Sequence, residues 1–258
     1  MSAASVSSQG GRPSRVPSFN PVVASITLRA VFGRRRALVF GLPPLVLILI
    51  TVLLKASHPA NGANWPGHLL GDFGFSVILP LTALIIGTSV LGAEIDDGSV
   101  VHLLATPVRR SSVIASKFAV AVALTILFAA VPELIAGVIA SGTAGRFAIG
   151  VFVGALAGSV IYNALFVMVS VLTTRAIAVG LLYVLVWEVV LGNFVSGARV
   201  LSVEQYSLGV ANSIARDSAL NAALNLRTAL IMGVIVTAVA LVIATRRLSV
   251  FSLKGDAV

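Results

Sequence analysis

Residues 147–172 read FAIGVFVGALAGSVIYNALFVMVSVL, a run without one Asp, Glu, Lys, Arg or His. As a helix rising 1.5 Å per residue it is about 39 Å long, more than the roughly 30 Å hydrocarbon core of a bilayer. Lipid offers no water to an open backbone, so such a run must bond within itself, as a helix. Gly150, Gly154 and Gly158 fall on one ridge of that helix. Small residues at this spacing admit a second backbone at close range, and a helix of the same chain is preferred over a dimer partner.

Outward from this run lie five more apolar stretches, at about 37–54, 73–93, 118–140, 176–195 and 228–245. With 147–172 they predict an all-α membrane protein of six transmembrane helices; the ten-residue alternation of a membrane β-barrel is absent. Pro43, Pro44 and Pro80 inside the first two spans release backbone carbonyls and can bend them. The whole composition agrees. Of 258 residues, 58% are hydrophobic and 10% charged, against about 45–50% and about 25% in an ordinary soluble domain; the mean hydropathy is +1.05. A soluble enzyme or a nucleic-acid module is excluded. The net charge of +9 comes from short basic clusters between apolar runs, so it reports orientation and not nucleic acid.

Placing both termini in the cytoplasm puts thirteen of the 18 basic residues inside and leaves Lys55, Arg146, Arg199, Arg216 and Arg227 outside. That bias predicts a multi-pass protein of the cell membrane with cytoplasmic termini. Residues 1–20, rich in Ser, Gly and Pro, read as a disordered cytoplasmic tail, 21–250 as the membrane domain, and 251–258 as a second tail.

Residues 22–36, VVASITLRAVFGRRR, are too polar to span. Ser25, Arg29 and Arg36 fall on one helical stripe and Val22, Val23, Ile26 and Ala30 on another, which fits an interfacial helix whose arginines meet lipid headgroups. An irregular basic anchor is the alternative. Residues 94–117 read EIDDGSVVHLLATPVRRSSVIASK. Asp96 and Asp97 stand where a helix start favours negative charge, Val100, Leu103 and Leu104 make a short apolar face, and Pro107 ends it. This short helix either docks on a protein partner or packs on the chain's own helix ends. Between the last two spans, Ser202 and Gln205 have capping-box spacing ahead of Val203, Tyr206, Val210 and Ile214, an amphipathic helix. Asp217-Ser218 can cap a second, shorter one bearing Leu220 and Leu224, so the pair predicts a re-entrant or surface-lying hairpin.

Together these features resemble the membrane subunit of ABC-2-type transporters. The match is carried by Gly92, Glu94, Gly98, Ser99, Leu103, Leu104, Pro107, Arg110 and Lys117, the spacing of that family's loop between spans two and three. The resemblance implies that 94–106 is a coupling helix docking on an ATPase, with Glu94, Asp96, Asp97, Gly98, Ser99, Val100, Leu103, Leu104 and Arg110 as its coupling residues. It implies that the segment before the first span is an interfacial connecting helix and that 196–227 holds small outer helices. It also implies a homodimer or a heterodimer with a second permease, and export as the direction. The only lysines, Lys55, Lys117 and Lys254, stand in no Gly-x4-Gly-Lys-Ser/Thr phosphate loop. No cofactor is therefore expected in this chain; ATP and Mg²⁺ would belong to a separate ATPase subunit.

Two carboxylates, Glu133 and Glu188, lie within spans, at similar depth in the outer half when counted from Lys117 and Arg175. One expectation is that they line an outward substrate path with Tyr162, Asn163 and Trp187; the other is that neighbours such as Tyr162, Asn163 or Asn193 satisfy them. Enzyme readings fare badly. There are no cysteines, and His58, His68 and His102 lie outside the spans without metal-ligand spacing. The remaining alternatives are an ion-coupled secondary transporter, favoured only by the buried carboxylates, and a non-transporting membrane anchor.

Overall fold

The structure, a computed structural model, describes residues 34–57, 64–96, 110–191 and 197–251. The expected N-terminal tail, residues 22–33 of the interfacial helix, Asn193 and coupling residues 97–109 lie outside them, as do the side chains of Glu94, Asp96 and Arg110.

Seven helices carry the fold among the described residues. α1 is Arg34–Ser57. α2 joins Trp65–His68, Leu69–Ile78 and Leu79–Asp96. α3 joins Arg110–Thr125, Ile126–Ala130 and Val131–Ser141. α4 is Arg146–Leu172, and α5 joins Ala176–Leu182 to Tyr183–Leu191. α6 is Val203–Ala215 and α7 is Leu226–Phe251. Short 3-10 turns at Ala198–Leu201 and Ser218–Leu220 flank α6.

The pieces Leu69–Ile78 and Ile126–Ala130 are wide π turns. A proline follows each one closely, Pro80 and Pro132. A proline offers no N–H and its ring presses on the carbonyl four residues back. Those carbonyls, of Ser76 and Phe128, fall inside the widened pieces, so a local change of pitch absorbs the clash. Tyr183–Leu191 is also wide-turned, and no proline explains it.

Among the described residues, five helices are long and apolar enough to cross a membrane: Phe40–Ser57, Trp65–Val90, Ser111–Ser141, Arg146–Leu172 and Leu226–Leu248. Of the expected fifth span, 176–195, the described part holds the apolar helix Ala176–Glu188, and residues 192–195 lie outside the described residues. Helix boundaries also reach past the apolar runs. α3 starts at Arg110, well before the expected 118, because Ser112, Ser116 and Lys117 are buried between helices. The Lys117 ammonium donates to the Val90 carbonyl at 2.9 Å. α2 continues to Asp96, which lies in its last turn; the expected helix start that follows lies outside the described residues.

α4 is the central post, packed most extensively on α6 and then on α3, α2 and α7. Its glycine ridge explains the first of these contacts. A Cβ at Gly150 would lie 2.7 Å from the Ala211 carbonyl oxygen, and one at Gly154 would lie 2.6 Å from the Ala211 Cβ. One at Gly158 would lie 2.5 Å from the Ser207 hydroxyl. The ridge thus serves contact within the chain, as expected from sequence, and α6 runs antiparallel along α4. Phe75 and Leu79 approach Gly154 and Gly158, so α2 runs parallel to α4, while Gly137 of α3 meets Ala148. Phe75, Leu79, Tyr162, Phe166 and Tyr206 fill the core between these helices.

The outside of the bundle is apolar. Leu42, Leu45 and Leu53 on α1, Leu182 and Leu185 on α5, and Val234 and Val239 on α7 are all exposed. Patches of this extent suit lipid and not water. Packing inside therefore rests on close van der Waals fit and satisfied polar groups, since lipid tails are as apolar as leucine.

Candidate functional site

α6 runs along α4 in the same direction as α5. α5 starts beside the Leu172 end of α4 and ends near Tyr162, where α6 begins and climbs toward the Arg146 end. Glu188 holds this junction. Its carboxylate accepts the Val203 backbone N–H at 3.0 Å, the Tyr183 hydroxyl at 3.0 Å and the Ser202 hydroxyl. The first N–H groups of a helix have no partner within it, and an acceptor there satisfies them while meeting the positive end of the dipole. The Tyr162 hydroxyl faces the same carboxylate without a hydrogen bond of regular geometry. Trp187 Nε1 donates to the Leu201 carbonyl at 3.3 Å, and the Tyr206 hydroxyl donates to that of Val200 at 2.6 Å. Both tie the 3-10 turn to its neighbours.

The expected capping box forms by half. Ser202 Oγ accepts from Gln205 N at 3.3 Å, but the Gln205 carbonyl oxygen accepts from Ala223 N at 2.9 Å. Val203, Tyr206 and Val210 are buried, as their spacing predicts. Asp217 caps only the 3-10 turn Ser218–Leu220, through Ala219 N at 2.9 Å.

The candidate substrate-path residues do not form one group. Glu188, Tyr162 and Trp187 gather at the α5–α6 junction. Asn163 points to α3, donating to Thr125 Oγ1 at 2.8 Å and to the Ser159 carbonyl at 2.7 Å. Glu133 is fully buried beside Gly74, and neither of its oxygens has a hydrogen-bond partner among the described residues. Nor do the two carboxylates share a depth. Gly137 meets Ala148, which places Glu133 near the level of Phe152, whereas Glu188 adjoins Tyr162. Along α4 that separates them by roughly 15 Å. The sequence estimate failed because Lys117, taken as the membrane boundary, lies two turns inside α3.

A polar cavity of about 580 Å³ adjoins the junction on the Arg146 side. Asp72 of α2, Arg199 of the 3-10 turn, Glu204, Gln205 and Asn212 of α6, and Asn221 line it. The Ser76 hydroxyl donates to Glu204 Oε1 at 2.6 Å. Sequence reading missed these residues. Glu204, Leu208 and Asn212 recur every four positions, a second stripe on α6 opposite its packed one, and that spacing was the available signal. Among the described residues no group of three or more His, Asp or Glu could hold a metal.

A bundle with an apolar outer surface, a central post and several helices long and apolar enough to span together define a multi-pass membrane protein. The model of the ABC-2 family transporter protein matches residues 26–253, and the chain belongs to that family. It is an ABC-2-type permease, a multi-pass membrane protein of transport. No curated protein matches the chain.

Proposed function

We propose that this chain is the membrane subunit of an ABC exporter, driven by ATP that a separate ATPase subunit hydrolyses. The family match over residues 26–253 carries this reading, and the lack of a phosphate loop in the sequence supports the division of labour. In this reading both termini are cytoplasmic and the Arg146 end of α4 faces outward. The chain crosses the cell membrane six times. It works as a homodimer or beside a second permease. The segment 94–106 docks on the ATPase, which also holds ATP and Mg²⁺. Closure of the ATPase pair is passed through Glu94 and Asp96 at the end of α2 to the spans, which rock as rigid bodies.

The test is co-expression with the candidate ATPase, co-purification, and ATP turnover of wild type, Glu94→Ala and Leu103→Asp. Weaker assembly or slower turnover in the variants is expected. Full assembly and undiminished turnover in both would sink the docking role. Transport by the chain alone in proteoliposomes, without nucleotide, would replace the reading with an ion-coupled carrier.

A further inference from the structure

A slot runs along the outside of the bundle where α4, α6 and α7 meet. α7 lies parallel to α4. A Cβ at Gly233 would lie 2.8 Å from Ile161 Cδ1, and further along Ala244 and Leu248 pack with Val167 and Val171. On α7 the slot extends from Ala229 to Leu241, a rise of about 18 Å. That is close to the depth of one leaflet, half of the roughly 30 Å hydrocarbon core. The volume is about 460 Å³. Spread over about 18 Å, it leaves a section of about 26 Å². A helix of a second copy, about 10–12 Å across with its side chains, is too wide for it, whereas one extended hydrocarbon chain fits.

The walls offer little to a polar molecule. Only Tyr206 and Thr237 bring a polar side-chain atom to the lining, and the Tyr206 hydroxyl is bonded to the Val200 carbonyl at 2.6 Å. Leu230 and Val234 on the lining are exposed, so the slot opens to the lipid that covers the rest of α7. The same stripe of α7, through Leu230, Val234, Thr237 and Leu241, continues back to Arg227 at helical spacing, toward the Arg146 side of the bundle. Arg227 is exposed and forms no ion pair among the described residues. Its long stem lets the guanidinium reach the headgroup level.

We propose that the slot holds one acyl chain of an anionic phospholipid, with Arg227 on its phosphate. No carboxylate lines the slot. The cationic end of a zwitterionic headgroup would find no partner there, and a net anion is favoured.

The test is native mass spectrometry of the purified full chain, released from detergent after equilibration with equal amounts of phosphatidylglycerol and phosphatidylcholine. One phosphatidylglycerol per chain should survive release. Arg227→Gln should lower its preference over phosphatidylcholine about fivefold. Arg175→Gln, beyond the Leu172 end of α4, should leave that preference unchanged. Ala238→Phe sets a ring into the slot from an exposed position, and Ala157→Leu narrows it from α4. In both, retained lipid should fall to the level of adventitious adducts with the melting temperature unchanged. Equal retention of the two lipids by the wild type would overturn the proposal. So would the same loss in Arg175→Gln as in Arg227→Gln, or undiminished retention in folded Ala238→Phe and Ala157→Leu. A wild-type dimer that disappears in Ala238→Phe would give the slot to a second copy instead. Neither ATP nor transport enters the measurement, so it succeeds or fails separately from the permease reading.

Discussion

Glu188, near the end of α5, accepts the first backbone N–H of α6, that of Val203, at 3.0 Å. One carboxylate therefore joins two helices, and it also takes hydroxyls from Ser202 and Tyr183. Removing it leaves three buried donors without their acceptor. Unsatisfied buried groups cost about 1–3 kcal/mol each before relaxation. Glu188→Ala should lower the melting temperature of the purified protein in detergent by several degrees. Glu188→Gln, which keeps one acceptor oxygen, should lower it less. Equal stability of wild type and Glu188→Ala would show that the junction is held elsewhere.

The glycine ridge makes a sharper contrast. A side chain at Gly154 collides with Ala211 and the Ser207 carbonyl, whereas a Cβ at Gly41 meets nothing within 4 Å. Gly154→Val should destabilise by about 1–3 kcal/mol or more through overpacking. Gly41→Ala should be neutral or should stabilise by up to about 1 kcal/mol, the helix preference of alanine. Denaturation of both variants in one detergent decides the matter, and a tolerated Gly154→Val would contradict the close approach of α6.

Glu133 behaves oppositely to Glu188. Its oxygens are buried with no partner among the described residues, so the native carboxyl is a cost to the fold. Glu133→Met, of similar length, should raise stability, by about 1–3 kcal/mol on the scale of an unpaired buried polar group. A fall in melting temperature would reveal a partner. If stability rises while transport by the assembled complex falls, the carboxyl is kept for function.

Asn163 and Thr125 link α4 to α3 at 2.8 Å. A double-mutant cycle with Asn163→Ala and Thr125→Val should give a coupling of about 0.6–1.7 kcal/mol, the range for hydrogen bonds between membrane helices. Strict additivity would mean that the bond contributes nothing measurable.

Long apolar runs were legible because lipid leaves the backbone a single solution, and 147–172 needed only one residue added at its start. The glycine ridge was legible as a close contact, and the four-residue spacing of α6 as an amphipathic helix. The depth of the carboxylates was not. A buried Lys117, hydrogen-bonded to the Val90 carbonyl, looks in sequence like a membrane boundary. The polar cavity was illegible for another reason: Asp72, Arg199 and Glu204 come from three separate elements, and only folding brings them to one wall.

The two-sided surface of α6 also bears on how the protein is made. With Glu204 and Asn212 on one stripe, α6 cannot stay at membrane depth by itself and requires protein around it. During biosynthesis it must then settle on a pre-formed α4, whose glycine ridge meets Ser207 and Ala211. A nascent chain stopped just past Ala215, carrying a glycosylation reporter, should partition between topologies, and one stopped past Phe251 should not.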